Sequence, residues 1–227
     1  MKTLLTTVCA AALTVAAPLA VADPESDTER LSYSLGVAYG QSIAQDFSEL
    51  DIDAFAEAIR DVIGGNELAM SNEEMAQALS RFQEEAMAAR QAETQELAER
   101  NRAEGEAFLE ANAEREAVQV TESGLQYEVL ESGDGASPEA SSTVEVHYEG
   151  SLVDGTVFDS SLDRDEPITF RVNQVIEGWQ EALTLMQVGA TWKLYIPAEL
   201  GYGAQGQGPI GPNETLIFEV ELLDVMD

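Results

Sequence analysis

The chain has 227 residues, with 43 acidic side chains against 11 basic ones and a formal net charge of −32. Hydrophobic residues make up 44 %, enough for one or two cored domains and too many for a disordered acidic tail. The charge excludes direct recognition of nucleic acid, which needs a basic patch, and electrostatic docking on anionic lipid.

The first residues carry an address. Met1-Lys2 is a short positive start, Leu4 to Val15 is uncharged and apolar, and Ala20-Val21-Ala22 after Pro18 is a small-x-small cleavage signal. Residues 1–22 are thus expected to be a signal peptide cut after Ala22. The stretch is too short to span a bilayer, and no later segment offers about 20 consecutive apolar residues. Cleavage also removes Cys9, the only cysteine. Its flank, Thr6-Thr7-Val8, is a poor one for lipidation. A mature chain without thiols has no disulfide, thiol catalysis or Cys-ligated metal.

The mature chain has two halves. No proline lies between Pro24 and Pro138, and this region is rich in Ala, Glu, Gln and Arg, a helical composition. After about Val118, Gly, Pro, Thr, Val and aromatics come in short alternating runs, a β-rich composition. Ser26-Asp27-Thr28-Glu29 is a capping box for a first helix, with Leu31, Leu35, Tyr39, Ile43 and Phe47 at helical spacing. Asp53 is expected to cap a second, with Phe55, Ile59, Val62 and Ile63 on one face and Gly64-Gly65 as the stop. Ser71-Asn72-Glu73-Glu74 opens a third helix with no evident stop until near Ala117, roughly 65 Å long. Its early apolar seam is Met75, Leu79, Phe82, Ala86 and Met87. From Arg90 to Glu104 only Leu97 is large and apolar, which predicts a solvated rod steadied by pairs such as Glu96–Arg100, with Gly105 as a weak point.

Residues 23–89 are therefore a small helical domain and 90–118 a connecting helix. A core of that size is marginal alone, so a second copy is expected to complete it as a homodimer. In the competing reading, Met70, Met75 and Met87 fill a monomer core.

Residues 119–227 form the β half. Strands are expected at 124–130, 143–150, 168–172, 191–197 and 215–223, with an Asp154-Gly155 hairpin turn and a helix over Val175–Met186. The fold class is α+β: an all-α N-terminal domain with a long helix, then an antiparallel sheet with one short covering helix.

Searches for acid–base or metal chemistry return little. His147 is the only histidine and neighbours Tyr148 on a strand, so the two point to opposite faces. No second His or Cys exists to build a metal site or a nucleophile triad. The glycines from Gly201 to Gly211 do not join a strand to a helix, so they are no phosphate loop; they suggest a mobile loop on the sheet. What stands out is aromatic: Tyr148, Phe158, Trp179, Tyr202 and Phe218 come from five separate elements, as an aromatic core or a pocket would require.

Val157-Phe158-Asp159-Ser160-Ser161, Val175-Ile176-Glu177-Gly178-Trp179, Gly201-Tyr202-Gly203 and Asn213-Glu214-Thr215-Leu216-Ile217-Phe218-Glu219-Val220-Glu221-Leu222 together resemble the FKBP-type peptidyl-prolyl isomerase domain, in family order, over 124–227. Leu31-Ser32-Tyr33-Ser34-Leu35-Gly36 and Gly105-Glu106-Ala107-Phe108-Leu109 resemble the exported macrophage-infectivity-potentiator (Mip) and FkpA-like subgroup. The resemblance implies a pocket with Trp179 as its floor and Tyr148, Phe158, Val175, Ile176, Tyr202 and Phe218 as its walls. Ile210 closes one side from a glycine-rich flap. Asp159 accepts hydrogen bonds from Arg164 and Tyr148 at the rim, and Tyr202 offers its hydroxyl to the substrate carbonyl. Ile168, where many members carry an aromatic, and Gln207, near a flap position that is often His, suggest an altered side-chain preference.

By the same resemblance the activity is rotation of X–Pro bonds in exported proteins, without cofactor or metal. The expected partners are proline-containing polypeptides, a second copy through the N-terminal helices, and macrolide inhibitors of the FK506/rapamycin type. The expected location is the periplasm or the outer-membrane or cell surface. The alternative function is a holding chaperone for unfolded periplasmic proteins, with isomerase activity secondary.

The acid is spread over both halves and avoids the expected pocket, so it belongs to the solvated surface. Such a surface repels itself at low salt and is relieved by ions, which points to a saline surrounding. The unfolding temperature is expected to rise between low and high NaCl; a thermal melt that does not move with salt removes this reading.

Overall fold

The computed structural model describes residues 23–47 and 49–226, so the expected signal peptide lies outside the described residues. The chain divides into two compact units at Glu74–Met75.

In the first unit, α1 (Asp27–Asp46) opens at the expected capping box: Ser26 Oγ accepts from the Glu29 amide at 3.2 Å, and Glu29 Oε2 accepts from the Ser26 amide at 2.9 Å. Those amide donors hold the Glu29 carboxyl below its ordinary value. α2 (Ile52–Gly64) is capped by Asp51, whose Oδ1 accepts from the Ala54 amide, and not by Asp53, which lies inside the first turn. Gly65 stops it at φ +67°. The expected small core is not formed within the chain: none of the described residues of 23–74 is buried. Val62 and Ile63 are 68 % and 82 % exposed.

α3 (Asn72–Ala113) is one continuous helix of 42 residues, started by Ser71, whose Oγ accepts from the Glu74 amide. Helix gives way to strand between Ala113 and Val118, and the C-terminal part of α3 packs onto the β-rich unit. Asn101, Gly105 and Asn112 are buried. Asn112 Nδ2 donates to Gln126 Oε1 at 2.9 Å, and Gln126 Nε2 donates to the Leu109 carbonyl at 2.9 Å. The Phe108 ring lies 5.9 Å from that of Tyr195. Beyond the helix, Arg115 donates to Asn112 Oδ1, Tyr195 Oη and Glu128 Oε2. The solvated rod is therefore corrected over 101–113: besides Phe108, its contact face is built from small and amide side chains, which a hydropathy pattern passes over. The Glu96–Arg100 pair is not among the ion pairs of the described residues, which are Arg115–Glu128 and Arg164–Asp159.

The sheet has seven antiparallel strands: β1 (Val118–Val120), β2 (Gln126–Glu131), β3 (Thr143–Leu152), β4 (Val157–Ser160), β5 (Ile168–Arg171), β6 (Thr191–Ile196) and β7 (Leu216–Met226). Their order is β1-β2-β6-β7-β3-β4, with β5 also paired to β3. β4 is the second arm of the expected Asp154-Gly155 hairpin, with Val157 opposite Ser151 of β3; β1 is too brief for alternation to show. β3 and β7 pair along their length with one register shift between Glu145 and Val146, beyond which Val146 stands opposite Leu222 and Gly150 opposite Phe218. Their alternation sends Val144, Val146, Tyr148, Phe218, Val220 and Leu222 inward. The helix α4 (Glu177–Leu185) covers that face, burying Trp179, Ala182 and Leu183. It seats closely because Gly178 has no side chain: a Cβ there would stand 2.6 Å from Ile196 Cγ2.

Gly105 distinguishes a packed α3 from a free rod. A Cβ at this position would lie 2.3 Å from Oγ1 of the buried Thr215. On a free helix, Gly105→Ala should stabilise by about 1 kcal/mol. Against Thr215 it is expected to destabilise instead, by about 1–3 kcal/mol of overpacking. Denaturant unfolding gives the sign.

Candidate active site

The sheet and α4 leave a cavity of about 690 Å³ between the inward face of β3 and β7, the segment entering α4, and the glycine-rich segment before β7. Trp179 projects from the first turn of α4 into its base, 5 % exposed. Its ring meets Tyr148 edge-on at 5.4 Å, Phe218 edge-on at 5.1 Å and Phe170 at 5.4 Å. Phe158 stands on Phe218 at 5.5 Å and 83°. That approach depends on Gly150 in β3, where a Cβ would come within 2.6 Å of Phe218 and 2.7 Å of Phe158. Val175 and Ile176 line the entry to α4, and Tyr202, Gln207 and Ile210 line the glycine-rich side.

A polar triad closes the rim. The Tyr148 hydroxyl donates to Asp159 Oδ2, Arg164 Nη1 donates to Asp159 Oδ1 at 2.6 Å, and Arg164 Nη2 donates to the Tyr148 oxygen at 3.3 Å. Burial works to raise the Asp159 carboxyl. The hydrogen bonds from Tyr148 and Arg164, with the guanidinium charge, outweigh it and hold the group below its ordinary value. Tyr148 is pushed up by burial and by its bond to Asp159; Tyr202 is pushed up by burial and by the charge of Asp159. Among the lining groups Asp159 is the only carboxylate and there is no His, Lys or Cys. The arrangement therefore grips an apolar group by shape and presents phenol hydroxyls at its edge.

Of the residues expected from the sequence, Tyr148, Phe158, Asp159, Ile168, Val175, Ile176, Trp179, Tyr202, Gln207, Ile210 and Phe218 all line this cavity. Arg164 does not; it reaches the cavity only through Asp159 and Tyr148. Phe170 and Gln174 also line it and were missed. The period of two along β5 places Phe170 on the face of Ile168, so a signal existed for it; none existed for Gln174. Ser161 was not singled out either. It is fully buried, and its Oγ accepts from the Tyr148 amide at 2.8 Å and lies 3.0 Å from His147 Nδ1, which fixes the strand behind the pocket. The glycine-rich segment is not a free loop. Gln207 and Ile210 exchange backbone hydrogen bonds of 2.9 and 3.0 Å across a tight turn. Gly206 makes this turn possible at φ +65°, where a Cβ would fall 2.3 Å from the Ile210 carbonyl.

Residues 135–223 match the family model of the FKBP-type peptidyl-prolyl cis-trans isomerase, and residues 28–129 match that of the domain amino terminal to it. Over 229 residues the chain is 44 % identical to the outer membrane protein MIP of Legionella longbeachae, covering 99 % of this chain and 98 % of that protein. Over 207 residues it is 46 % identical to the FKBP-type 22 kDa peptidyl-prolyl cis-trans isomerase of Escherichia coli, 89 % and 98 % of the two chains. The crystal structure of FkpA from Escherichia coli superposes with a TM-score of 0.77 at 36 % identity, over 88 % of this chain and 97 % of that one. The chain belongs to the FKBP-type peptidyl-prolyl cis-trans isomerases, in the group of Mip and FkpA. Its reaction is rotation about the X–Pro peptide bond.

The titrations set a pH expectation. Asp159 is held below its ordinary value, and Tyr148 and Tyr202 are held above theirs. Asp159 thus stays charged until pH falls through its lowered value, and both phenols stay protonated until pH exceeds about 10. kcat/KM for a proline peptide is expected to be flat between about pH 5 and about pH 9. A bell-shaped profile centred near neutrality would show a proton-transfer group that this pocket does not contain.

Proposed function

We propose that the chain rotates X–Pro bonds of exported polypeptides in this pocket, with the proline ring over Trp179 and the walls of Tyr148, Phe158 and Phe218 around it. The observation that carries this is a cavity walled by aromatic and aliphatic side chains whose one carboxylate is already charge-paired. Rotation has a barrier of roughly 18–20 kcal/mol, held up by amide resonance, and lowering it requires no proton transfer. An apolar cavity disfavours the charge-separated resonance form and so favours the twisted amide. The Tyr202 hydroxyl, which no described residue accepts from or donates to, is placed to donate to the carbonyl of that amide. Gains of roughly 10³–10⁵-fold require only about 4–7 kcal/mol of such differential binding. Asp159 and Arg164 orient Tyr148. Ile168 and Gln207 border the cavity where the residue before proline would lie and set the side-chain preference. Macrolides of the FK506/rapamycin type are expected to compete for the same cavity.

The N-terminal unit supports a homodimer and an exported setting. Phe55, Ile59, Val62 and Ile63 make an apolar face along α2, and Leu31, Leu35 and Tyr39 recur on α1, with no buried partner in the same chain. A second copy covers such a face at no loss of solubility. The name of the Legionella longbeachae relative and the apolar start of this chain support export to the periplasm or the outer-membrane surface. Among the described residues no helix is long and apolar enough to cross a membrane. The same exposed apolar side chains favour a second role, the holding of unfolded clients.

One variant separates these statements. The full chain is expected to sediment as a dimer at micromolar concentration, to accelerate isomerisation of a short proline peptide and to suppress aggregation of an unfolded client. Ile59→Asp with Ile63→Asp is expected to give monomers that keep peptide activity within about twofold and lose most of the aggregation suppression. A wild-type chain without peptide activity rejects the isomerase pocket, and a monomeric wild type rejects the dimer.

A further inference from the structure

The wall formed by Tyr202 and Ile210 is not held by the sheet alone. Its outer side is fastened to α3, more than a hundred residues earlier in the chain. Asn101, 7 % exposed, points its Nδ2 at two acceptors on that wall: the Pro212 carbonyl at 2.9 Å and Glu214 Oε1 at 2.9 Å. Asn213 returns the bond, its Nδ2 donating to the Ala98 carbonyl at 3.1 Å. Asn213 is also one of only two described non-glycine residues at positive φ, +55°, and its amide donates to the Gly203 carbonyl at 2.9 Å. That last bond draws the two ends of the flap together, beside Tyr202 at one end and three residues past Ile210 at the other. Gly211 passes so close that a Cβ would lie 3.2 Å from Asn101 Nδ2. One helical turn further on, Gly105 lets the helix touch Thr215.

We infer that Asn101, together with Asn213, forms an amide clasp that fixes the flap, and that Asn101 is a positioning residue for the isomerase reaction. Trp179, Tyr148, Phe158 and Phe218 stand on α4, β3, β4 and β7 and form no hydrogen bond with α3. The flap carries Ile210 and adjoins Tyr202, and the clasp joins it to α3 where the chain departs from regular pairing. Releasing the clasp frees the Pro212 carbonyl and the left-handed turn at Asn213 while leaving the cavity base in place. A wall displaced by about 1 Å is enough to weaken transition-state contacts severely. Exposed acid on a surface helix would serve a mere spacer; a buried asparagine spanning to two acceptors serves a clasp. The long helix is then part of the catalytic unit and not only its tether.

This rests on the pocket reading above, and the experiment keeps the two apart. It uses full-length chains and a short proline peptide, with amide hydrogen exchange at Gln207 and Ile210 as a second readout. Asn101→Ala is expected to lower kcat/KM roughly tenfold, and to speed exchange at those two amides. Asn213→Gly keeps the left-handed backbone and removes one clasp bond, so it folds without strain and is expected to lose roughly threefold. Asn112→Ala is the control: it also removes a buried α3 amide, 2.9 Å from Gln126, but at the end of the helix away from the flap. It is expected to lower the melting temperature yet keep wild-type kcat/KM and flap exchange. Wild-type activity in both Asn101→Ala and Asn213→Gly overturns the clasp, as does an equal loss in Asn112→Ala, which would reduce the effect to general loosening. If Asn101→Ala does not fold, Asn213→Gly against Asn112→Ala decides. An inactive wild type is a failure of the pocket and not of the clasp.

Discussion

Burial of Trp179 against rings from both long strands is the contact on which the rest of the β-rich unit depends. The indole stands edge-on to Tyr148 of β3 and to Phe218 of β7, and it is carried by the first turn of α4. A single side chain thereby joins the covering helix to the two central strands. The same arrangement leaves a cavity beside the rings, because a helix of nine residues is too short to roof the whole inward face of a seven-stranded sheet. Core and cavity are one aromatic cluster seen from two sides. The large stabilisation aromatic burial gives is what allows so apolar a cleft to stay open in water.

Charge is arranged to keep that cleft out of acid–base chemistry. The chain is strongly acidic, yet the lining carries one carboxylate, and it is bonded on both oxygens by Tyr148 and Arg164. Because the ion pair is about half exposed, its contribution to stability is small. Its value lies in geometry: it aims the Tyr148 ring edge at Trp179 and keeps the rim polar. Rotation of an amide needs shape and a hydrogen-bond donor, so a pocket with its only acid neutralised suits the reaction. Elsewhere the carboxylates lie mainly on the solvated surface. Glu214 is an exception: burial, and then the charges of Asp154 and Glu104, push its carboxyl above the ordinary value despite Arg100, and it accepts from Asn101.

The helical part divides its labour along its length. Residues before α3 bury nothing within the chain, while the last turns of α3 bury Asn101, Gly105 and Asn112 against the sheet unit. One end thus presents exposed apolar side chains, and the other is locked by amides and close backbone approach. Such a helix does not behave as a passive spacer, since moving its C-terminal turns also moves the groups that bound the flap.

Much of this was legible in the residues. Capping boxes at Ser26 and Ser71, the proline-free stretch, and the alternation in Thr143–Tyr148 and Leu216–Leu222 determine helices followed by an antiparallel sheet, because they report local backbone preference and solvent exposure residue by residue. The motifs around Phe158, Trp179, Tyr202 and Phe218 mark the pocket through the family resemblance they carry, since periodicity alone reads the same rings as an aromatic core. The cap of α2, the brief strand β1, and Gln174 were not legible, for lack of length or distinctive chemistry. Neither was the clasp. Asn101, Gly105 and Asn213 are polar or small, and in a hydropathy pattern they mark exposed helix, weak helix and turn. Only the tertiary structure, by bringing residue 101 within hydrogen-bonding distance of residues 212 and 214, turns those three into a packed joint. Hydrogen bonds between groups so far apart in sequence leave no period or run behind them, so the sequence determined the pocket and the fold decided what holds its wall.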